Sequence, residues 1–574
     1  MRKQNFFMLA LASLAFAACS NEELVSGGGT DTEIDSNGDA WVALDVRTPS
    51  TTRSRALNTP DQENSIAGEY EIKNVKAIFF DGPNKTSLVT KVIDLASGEI
   101  GTPGGDPGPN PPATPGPTDA FKVPTTSKTV LLVCNPGSID FTSMNITPGS
   151  TTFADVNVAV EGSLSAITKS GEFLMTNAKG DLEPSDGYGN TISLKLHPTK
   201  EAAKGSPLTI HVDRVVAKVR VFTDKTSTVA TVYDAGWVLN VTNKWFYPVS
   251  KRVKTWNEDP ANTASGGRGT CITPFDQYRF GSYREDPNYN STNIGTWNAS
   301  NTAVYDNNYN YYPTTAKPAP AEWNTLNALV PAVGATIHAE YCMENTQEAT
   351  YNMHAYTTQV LLKANFAPKG IKTKALDGTE GTTDVGENED WMIILSGYYT
   401  YETLLDWIEY ELKNKYTDNE PDKYNTPITN EFNKFLAAIG VGAVTLTSEA
   451  DFKGGTNTAE QEASKLKGLF AAKENAVHDK GGQDIAGVTY YAAGVSYYKI
   501  MIKHDDTDKA LNAFGEFGVV RNSVYDVRIT KFNNPGYPVI PKPEPGIPDE
   551  TDEEWLSIQI DVNPWTWYVQ DVEL

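Results

Sequence analysis

Short apolar runs alternating with polar residues recur along this chain, each closed by Pro, Gly, Asn or Asp. A period of two puts one face of an extended segment in a core and the other in water, so the pattern commits the chain to antiparallel sheets. The runs fall at 72–80, 129–134, 191–196, 208–212 and 215–222. They restart after Asp224 at 236–241, 245–249, 359–364, 391–395, 488–492, 497–502 and 524–532. With 574 residues the chain exceeds one ordinary core. The reading is an all-β protein of two antiparallel β-sandwich domains, 56–224 and 225–574. Two insertions interrupt the second: loops rich in Asn, Tyr, Thr and Gly at 255–325, and 402–476, where Leu404, Leu405, Ile408 and Leu412 recur at helical spacing and predict short surface helices.

The N-terminus carries an export address. Arg2 and Lys3 precede an apolar stretch at 6–18, too short to span a bilayer, so 1–18 reads as a cleaved signal peptide. Ala17 and Ala18 stand directly before Cys19, a pattern similar to a bacterial lipobox in which Cys19 is acylated; an ordinary signal peptide with an incidental Cys is the other reading. No other segment is long and apolar enough to cross a membrane as a helix. Cys134, Cys271 and Cys342 remain, without the spacing of a metal site or a disulfide framework, and Cys134 sits in an apolar run as a core residue does.

The formal charge of −24 argues against nucleic acid and against adsorption to anionic lipid; it suits solubility and mutual repulsion on a crowded surface. His197, His211, His338, His354, His478 and His504 show no paired ligand spacing, and no nucleophile elbow, phosphate loop or dinucleotide fingerprint occurs. No catalytic residue, metal or cofactor is therefore assigned, and an enzyme is the least supported reading. The acidic turn at 505–508 reads as a solvated loop, lacking the Gly and distal Glu of an EF-hand. Tyr305, Tyr309, Tyr311 and Tyr312 either stack on sugars or fill the interior of their own loop.

Two strands stand apart from the rest. Trp41 opens the first, in which Val42, Leu44 and Val46 alternate between polar segments at 20–40 and 48–65. The second follows a Pro-rich spacer at 535–548 and an acidic run at 549–554, and alternates through Leu556, Ile558, Ile560 and Val562. After Pro564 the alternation resumes one residue out of phase with Trp565, Trp567 and Val569. Isolated apolar strands at both ends invite exchange between copies, because a sandwich can lose an edge strand and accept an equivalent one. Each buried side chain contributes about 2 kcal/mol, so such a strand gains roughly 10 kcal/mol before entropy. Donor and groove lie on different surfaces, so the contact is head-to-tail and open-ended. A trypsin-like cut after Arg55, with Arg53 the alternative, would free 19–55 with the first strand; ordinary solvated arginines are the plainer reading.

Taken in order, several segments resemble one family: the lipobox at Cys19, the Arg-terminated prosegment, 71–75, 173–177, 212–219, 341–346, 518–525 and 562–565. The chain is similar to Bacteroidales fimbrillins, or type V pilins, most of all to shaft subunits of the short or minor fimbria. That resemblance implies two transthyretin-like sandwiches, export as an outer-membrane lipoprotein, and maturation by an arginine-specific protease. It further implies assembly by donor-strand exchange, with the donor within 556–574, into a cell-surface fimbria that supports adhesion and biofilm formation. Expected partners are further copies of the chain, tip and anchor subunits, and host or bacterial receptors. The alternatives are a tip or accessory adhesin of the same fold that binds glycan or host protein, and a monomeric nutrient-binding surface lipoprotein.

Overall fold

Every residue of Thr129–Cys134 is buried, as a strand covered on both faces requires, and the first sheet is built around it. The computed structural model describes residues 38–47, 68–96, 98–100, 117–138, 145–177, 194–249, 251–252, 283–290, 303–313, 317–417, 426–445, 458–504, 515–549 and 556–564. Cys19, Arg53, Arg55, Cys271, Trp565, Trp567, Val569 and the acidic turn at 505–508 lie outside these residues.

The first module holds β1 (Asp39–Val42), β2 (Leu44–Arg47), β3 (Asn74–Phe80), β4 (Val89–Ala96), β5 (Phe121–Pro124), β6 (Thr129–Cys134), β7 (Val160–Glu161), β8 (Met175–Asn177) and β9 (Leu208–Arg214). Six of them form one sheet in the order β2-β9-β8-β6-β3-β4, and β1 pairs with β5 outside it. Val75, Phe79, Leu131, Val133, Ile210 and Val212 share a single core.

The second module starts at β10 (Val216–Thr223) and β11 (Ala230–Asn240). Two-residue strands follow in the irregular region: β12 (Thr242–Asn243), β13 (Trp245–Phe246), β14 (Lys251–Arg252), β15 (Arg284–Glu285) and β16 (Tyr309–Asn310). Regular structure resumes with β17 (Glu340–Met343), β18 (Gln359–Pro368), β19 (Ile371–Lys374), β20 (Glu380–Thr383), β21 (Trp391–Ile394), β22 (Gly397–Thr400), β23 (Gln483–Ile485), β24 (Val488–Tyr491), β25 (Val495–Met501), β26 (Ser523–Phe532) and β27 (Leu556–Pro564). Sheets β17-β10-β26-β27 and β11-β18-β25 enclose a second core that includes Val219, Val221, Trp237, Leu362, Ile500, Val527 and Ile529. All of β10 is buried and pairs within this sheet, so the sequence boundary at 224 falls behind a strand of the second core.

Sheet pairing is antiparallel apart from β2 on β9 and β10 on β26. Parallel neighbours need long crossovers, which the intervening chain supplies. Charged residues inside β10 are paired: Arg220 grips Asp526 in register on β26, Nε to Oδ1 at 2.6 Å and Nη2 to Oδ2 at 2.7 Å.

The insertion at 402–476 is more than a set of surface helices. Helices α1 (Tyr401–Thr417), α2 (Pro427–Ala438) and α3 (Ala459–Ala471) pack on the sheet β22-β21-β24-β23 around a core of their own, with Leu404, Ile408, Phe432, Phe435 and Phe470 inside. The helical spacing in α1 is the apolar stripe of that core.

Candidate strand-exchange site

The first terminal strand lies inside the first module. Val42, Leu44 and Val46 are fully buried in its core, as their alternation demands. The segment is kinked at Ala43, so that its two halves belong to different ladders. β1 runs antiparallel to β5 from Asp39↔Pro124 to Val42↔Phe121, and β2 runs parallel to β9 from Leu44↔Leu208 to Arg47↔His211. Trp41 exchanges two backbone hydrogen bonds with His197, each 2.8 Å. At the kink, the Leu208 amide donates to the Ala43 carbonyl and the Thr118 amide to the Leu44 carbonyl, both at 2.8 Å, while the Leu44 amide donates to Thr118 Oγ1 at 3.0 Å.

The opposite face is covered as well, since Ala43 packs with Ala120 and Ala203. Trp41 is only half-buried; Lys122 and Lys200 set their ammonium groups 5.3 and 6.0 Å from its ring. Removing 39–47 would open an apolar trench floored by the first core and edged by the unpaired backbone of β5 and β9.

Beyond residue 67 the chain is pinned again at Glu69. Its carboxylate meets Lys218 Nζ at 3.0 Å and the Tyr341 hydroxyl at 2.6 Å, and its carbonyl accepts from Arg214 Nε at 2.7 Å. Both Glu69 and Lys218 are buried, which makes this clasp a fixed joint between modules rather than a surface ion pair. Arg214 also reaches Asn522 Oδ1, and Arg521 pairs with Glu344 Oε2 at 3.2 Å while donating to the Tyr247 and Pro248 carbonyls. Strand β7 pairs with β13, adding a backbone ladder across the same junction.

The Pro-rich spacer does not hold the second terminal strand away from the body. β27 lies antiparallel on β26, from Ser523↔Pro564 to Phe532↔Leu556, with a bulge between Ile529 and Lys531. Leu556 is buried, Ile558 and Ile560 are half-buried against the second core, and Val562 pairs with Tyr525. The Pro-rich segment is docked as well. Tyr537 and Tyr497 exchange backbone bonds of 2.8 Å, Ile540 is fully buried, and Glu544 binds Lys499 Nζ at 2.5 Å. Hydrogen bonds from His354 and Lys499 hold the Glu544 carboxyl down at about 2. Prolines cannot supply ladder donors, so this stretch attaches by apolar packing and scattered bonds. Gly536 shows how closely it lies: a Cβ there would stand 2.2 Å from the Tyr497 carbonyl oxygen.

The tyrosines read as possible sugar platforms are core instead. Tyr305 and Tyr309 are buried with their rings tilted against each other at 5.0 Å, the Tyr305 hydroxyl donates to the Ala355 carbonyl, and Tyr311 and Tyr312 are half-buried. They fill the interior of the inserted loop. Cys134 and Cys342 are free and buried, with both thiols pushed far above their usual range by burial. Among the described residues no group of His, Cys, Asp and Glu could hold a metal ion, and no helix is long and apolar enough to cross a membrane. Sequence reasoning missed the Glu69 clasp, whose partners lie 149 and 272 positions away.

A first strand buried in one core and a last strand laddered to β26 are the elements that an exchange of strands between copies would use. Residues 489–571, which span β25, β26 and β27, match the family of the fimbrillin C-terminal region, described as major fimbrial subunit protein type IV. Over those residues the chain is similar to the C-terminal region of fimbrial subunit proteins. A search of curated proteins finds no significant match.

Three solved structures are similar along most of the chain. A protein assigned to cell adhesion from Parabacteroides distasonis is 12% identical over 93% of this chain and 99% of its own, with a TM-score of 0.36. A fimbrillin from Porphyromonas gingivalis is 12% identical over 94% and 100%, with a TM-score of 0.33. A tip fimbrial protein from the same organism, with a C-terminal truncation, is 10% identical over 92% and 100%, with a TM-score of 0.31.

Proposed function

We propose that this chain is a shaft subunit of a cell-surface fimbria, delivered as a lipoprotein acylated at Cys19 and polymerised by donor-strand exchange. The carrying observation is the placement of β1 and β2. Val42, Leu44 and Val46 plug the first core, yet the segment joins the rest of the chain only through 48–67, which contains Arg53 and Arg55. Glu69 anchors the chain beyond that segment, so a cut after Arg55, or after Arg53, separates the plug from the body while the new N-terminal stretch stays clasped. Backbone edges on β5 and β9 then become available to a strand from another copy.

The donor comes from 556–574. Because β27 is already laddered to β26, withdrawing it would cost its own sheet an edge strand. Within that segment the inserting side chains are those of the alternating stripe, Leu556, Ile558, Ile560, Val562, Trp565, Trp567 and Val569. The polymer holds other copies of the chain along its length, with tip and anchor subunits at its ends, and serves adhesion and biofilm formation. No catalytic step is assigned to the chain itself.

The test is to treat purified precursor with an arginine-specific protease. Shaft function gives a new N-terminus at Ala56 and denaturant-resistant ladders that vanish when 556–574 is deleted. Monomers that persist after clean cleavage would sink the reading.

A further inference from the structure

A cleft of about 550 Å³ opens where the second sandwich meets the helical insertion, a volume in the range of small-ligand sites. Its walls come from the end of β18, the start of β19, the β21–β22 turn, α1 and the segment after β26. Strand exchange makes no use of it.

Three features give the cleft a chemical character. The first is a rigid aromatic platform. Trp391 stacks on Tyr491 at 4.1 Å and on Tyr398 at 5.6 Å, with interplanar angles of 11° and 15°, and its indole N–H is tied to the Phe366 carbonyl at 2.8 Å. Of these three rings Tyr398 lines the cleft, and it is half-buried. A flat face held this way suits the apolar side of a pyranose ring, which presents C–H groups to a π surface.

The second feature is charge. In a chain of formal charge −24, the described cleft wall contains Lys369 and Lys372 and no carboxylate. Both lysines are exposed, and neither has an ion pair among the described residues. Of the acids nearby, Asp384 accepts from the Gly370 amide at 2.8 Å, and Glu380 is held by Lys374 at 2.9 Å with a weaker pull from Lys372 through space. Glu411 acts on the Tyr399 hydroxyl through space, adding to an upward shift that comes chiefly from burial. At physiological ionic strength screening acts over roughly 8 Å, so these local charges govern an occupant more than the distant net charge does.

The third feature is the turn at the rim. Leu395 and Ser396 form a two-residue hairpin closed by Ile394↔Gly397, and both are left-handed, with φ of 49° and 66°. Such turns favour Asn-Gly, and a bulky residue there is strained. Leu395 is also 58% exposed, so the fold gains little from it. Strain combined with an exposed apolar side chain beside a cleft is better explained by a contact with something bound.

We propose that this cleft binds an acidic saccharide, with a sugar ring on Tyr398 against Leu395 and its carboxylate between Lys369 and Lys372. The site goes beyond the polymer reading and does not depend on it, because binding is measured on uncut monomer. The experiment is calorimetric titration of the full chain with sialyllactose and with digalacturonate, using lactose as the uncharged control. At least one acidic sugar should bind about tenfold tighter than lactose, and the combined Lys369→Gln and Lys372→Gln changes should abolish that preference. Leu395→Asn supplies a readout independent of folding: it should raise thermal stability by relaxing the turn while weakening the sugar about tenfold or more. Equal binding of charged and neutral sugars, binding indifferent to the lysines or to Leu395, or no binding by either acid would each overturn the assignment.

Discussion

Leu44 offers a direct measure of how firmly the plug is seated. Its side chain is fully buried between Val42 and Val46 in the first core. Three such side chains contribute about 2 kcal/mol each, or roughly 6 kcal/mol together. As a dissociation constant for the severed strand this is on the order of tens of micromolar, with ladder hydrogen bonds adding to it and ordering subtracting. Leu44→Ala removes buried volume that the surrounding sheet cannot collapse to fill, at a cost of about 3 kcal/mol, equivalent to roughly a hundredfold in affinity. The assay uses precursor labelled at the N-terminus, cut at Arg55, and diluted through the micromolar range while the labelled fragment is followed by size exclusion. Wild type should keep its fragment at concentrations where the variant has lost it, and the variant should polymerise sooner after cutting. Equal retention in the two proteins would refute the reasoning, because it would mean the fragment is held by something other than its apolar stripe.

Other outcomes rest on the same geometry. Deleting 556–574 should abolish polymer and also lower the melting temperature of the monomer, because β26 loses its ladder partner. Gly536→Ala should destabilise by about 2 kcal/mol or more, measured by urea unfolding, since the new methyl meets the Tyr497 carbonyl. Glu69→Gln leaves Lys218 buried without its counter-ion and should cost about 3–5 kcal/mol by the same assay. Burial raises Glu340 to about 7, so the fold prefers its protonated form; the stability this contributes is lost as pH rises from about 4.5 through 7. Glu340→Gln should therefore flatten the pH dependence of unfolding by up to about 1.4 kcal/mol per pH unit within that window, and an unchanged slope would count against it.

The range over which each sequence signal acts decides how much of the fold it discloses. Period-two alternation is local, and it located β6, β9, β10, β18, β25, β26 and β27 to within a few residues. The apolar stripe Leu404, Leu405, Ile408 and Leu412 likewise disclosed α1. It could not disclose that three helices share a core, because that depends on which faces meet. β4 and β5 escaped because Lys91, Asp94 and Lys122 dilute their apolar content. The run at 245–249 yields only the two-residue β13, since Pro248 ends the ladder where Thr176 and Arg521 take up its carbonyl. Proline content suggests a semi-rigid spacer at 535–548, but composition says nothing of docking; Gly536 and the buried Ile540 reveal the contact only once β25 lies beside them.

A fibre assembled by this exchange places its demands on the junction between modules. On the proposed exchange the slot would lie in the first module and the donor in the second, so each subunit would be held by its front and pull from its back. Tension between neighbours must then cross Glu69–Lys218–Tyr341, Arg214–Asn522, Arg521–Glu344 and the β7–β13 ladder. Apolar contacts alone resist separation but allow sliding, whereas buried directional bonds fix orientation as well. Glu69 would serve both tasks, because it also anchors the stretch that the proposed cut leaves behind. Loss of this clasp should therefore weaken the fibre more than the monomer: a Glu69→Gln subunit that still polymerises should give filaments that break under shear, while a Leu44→Ala subunit, whose plug is discarded on maturation, should give filaments as strong as wild type.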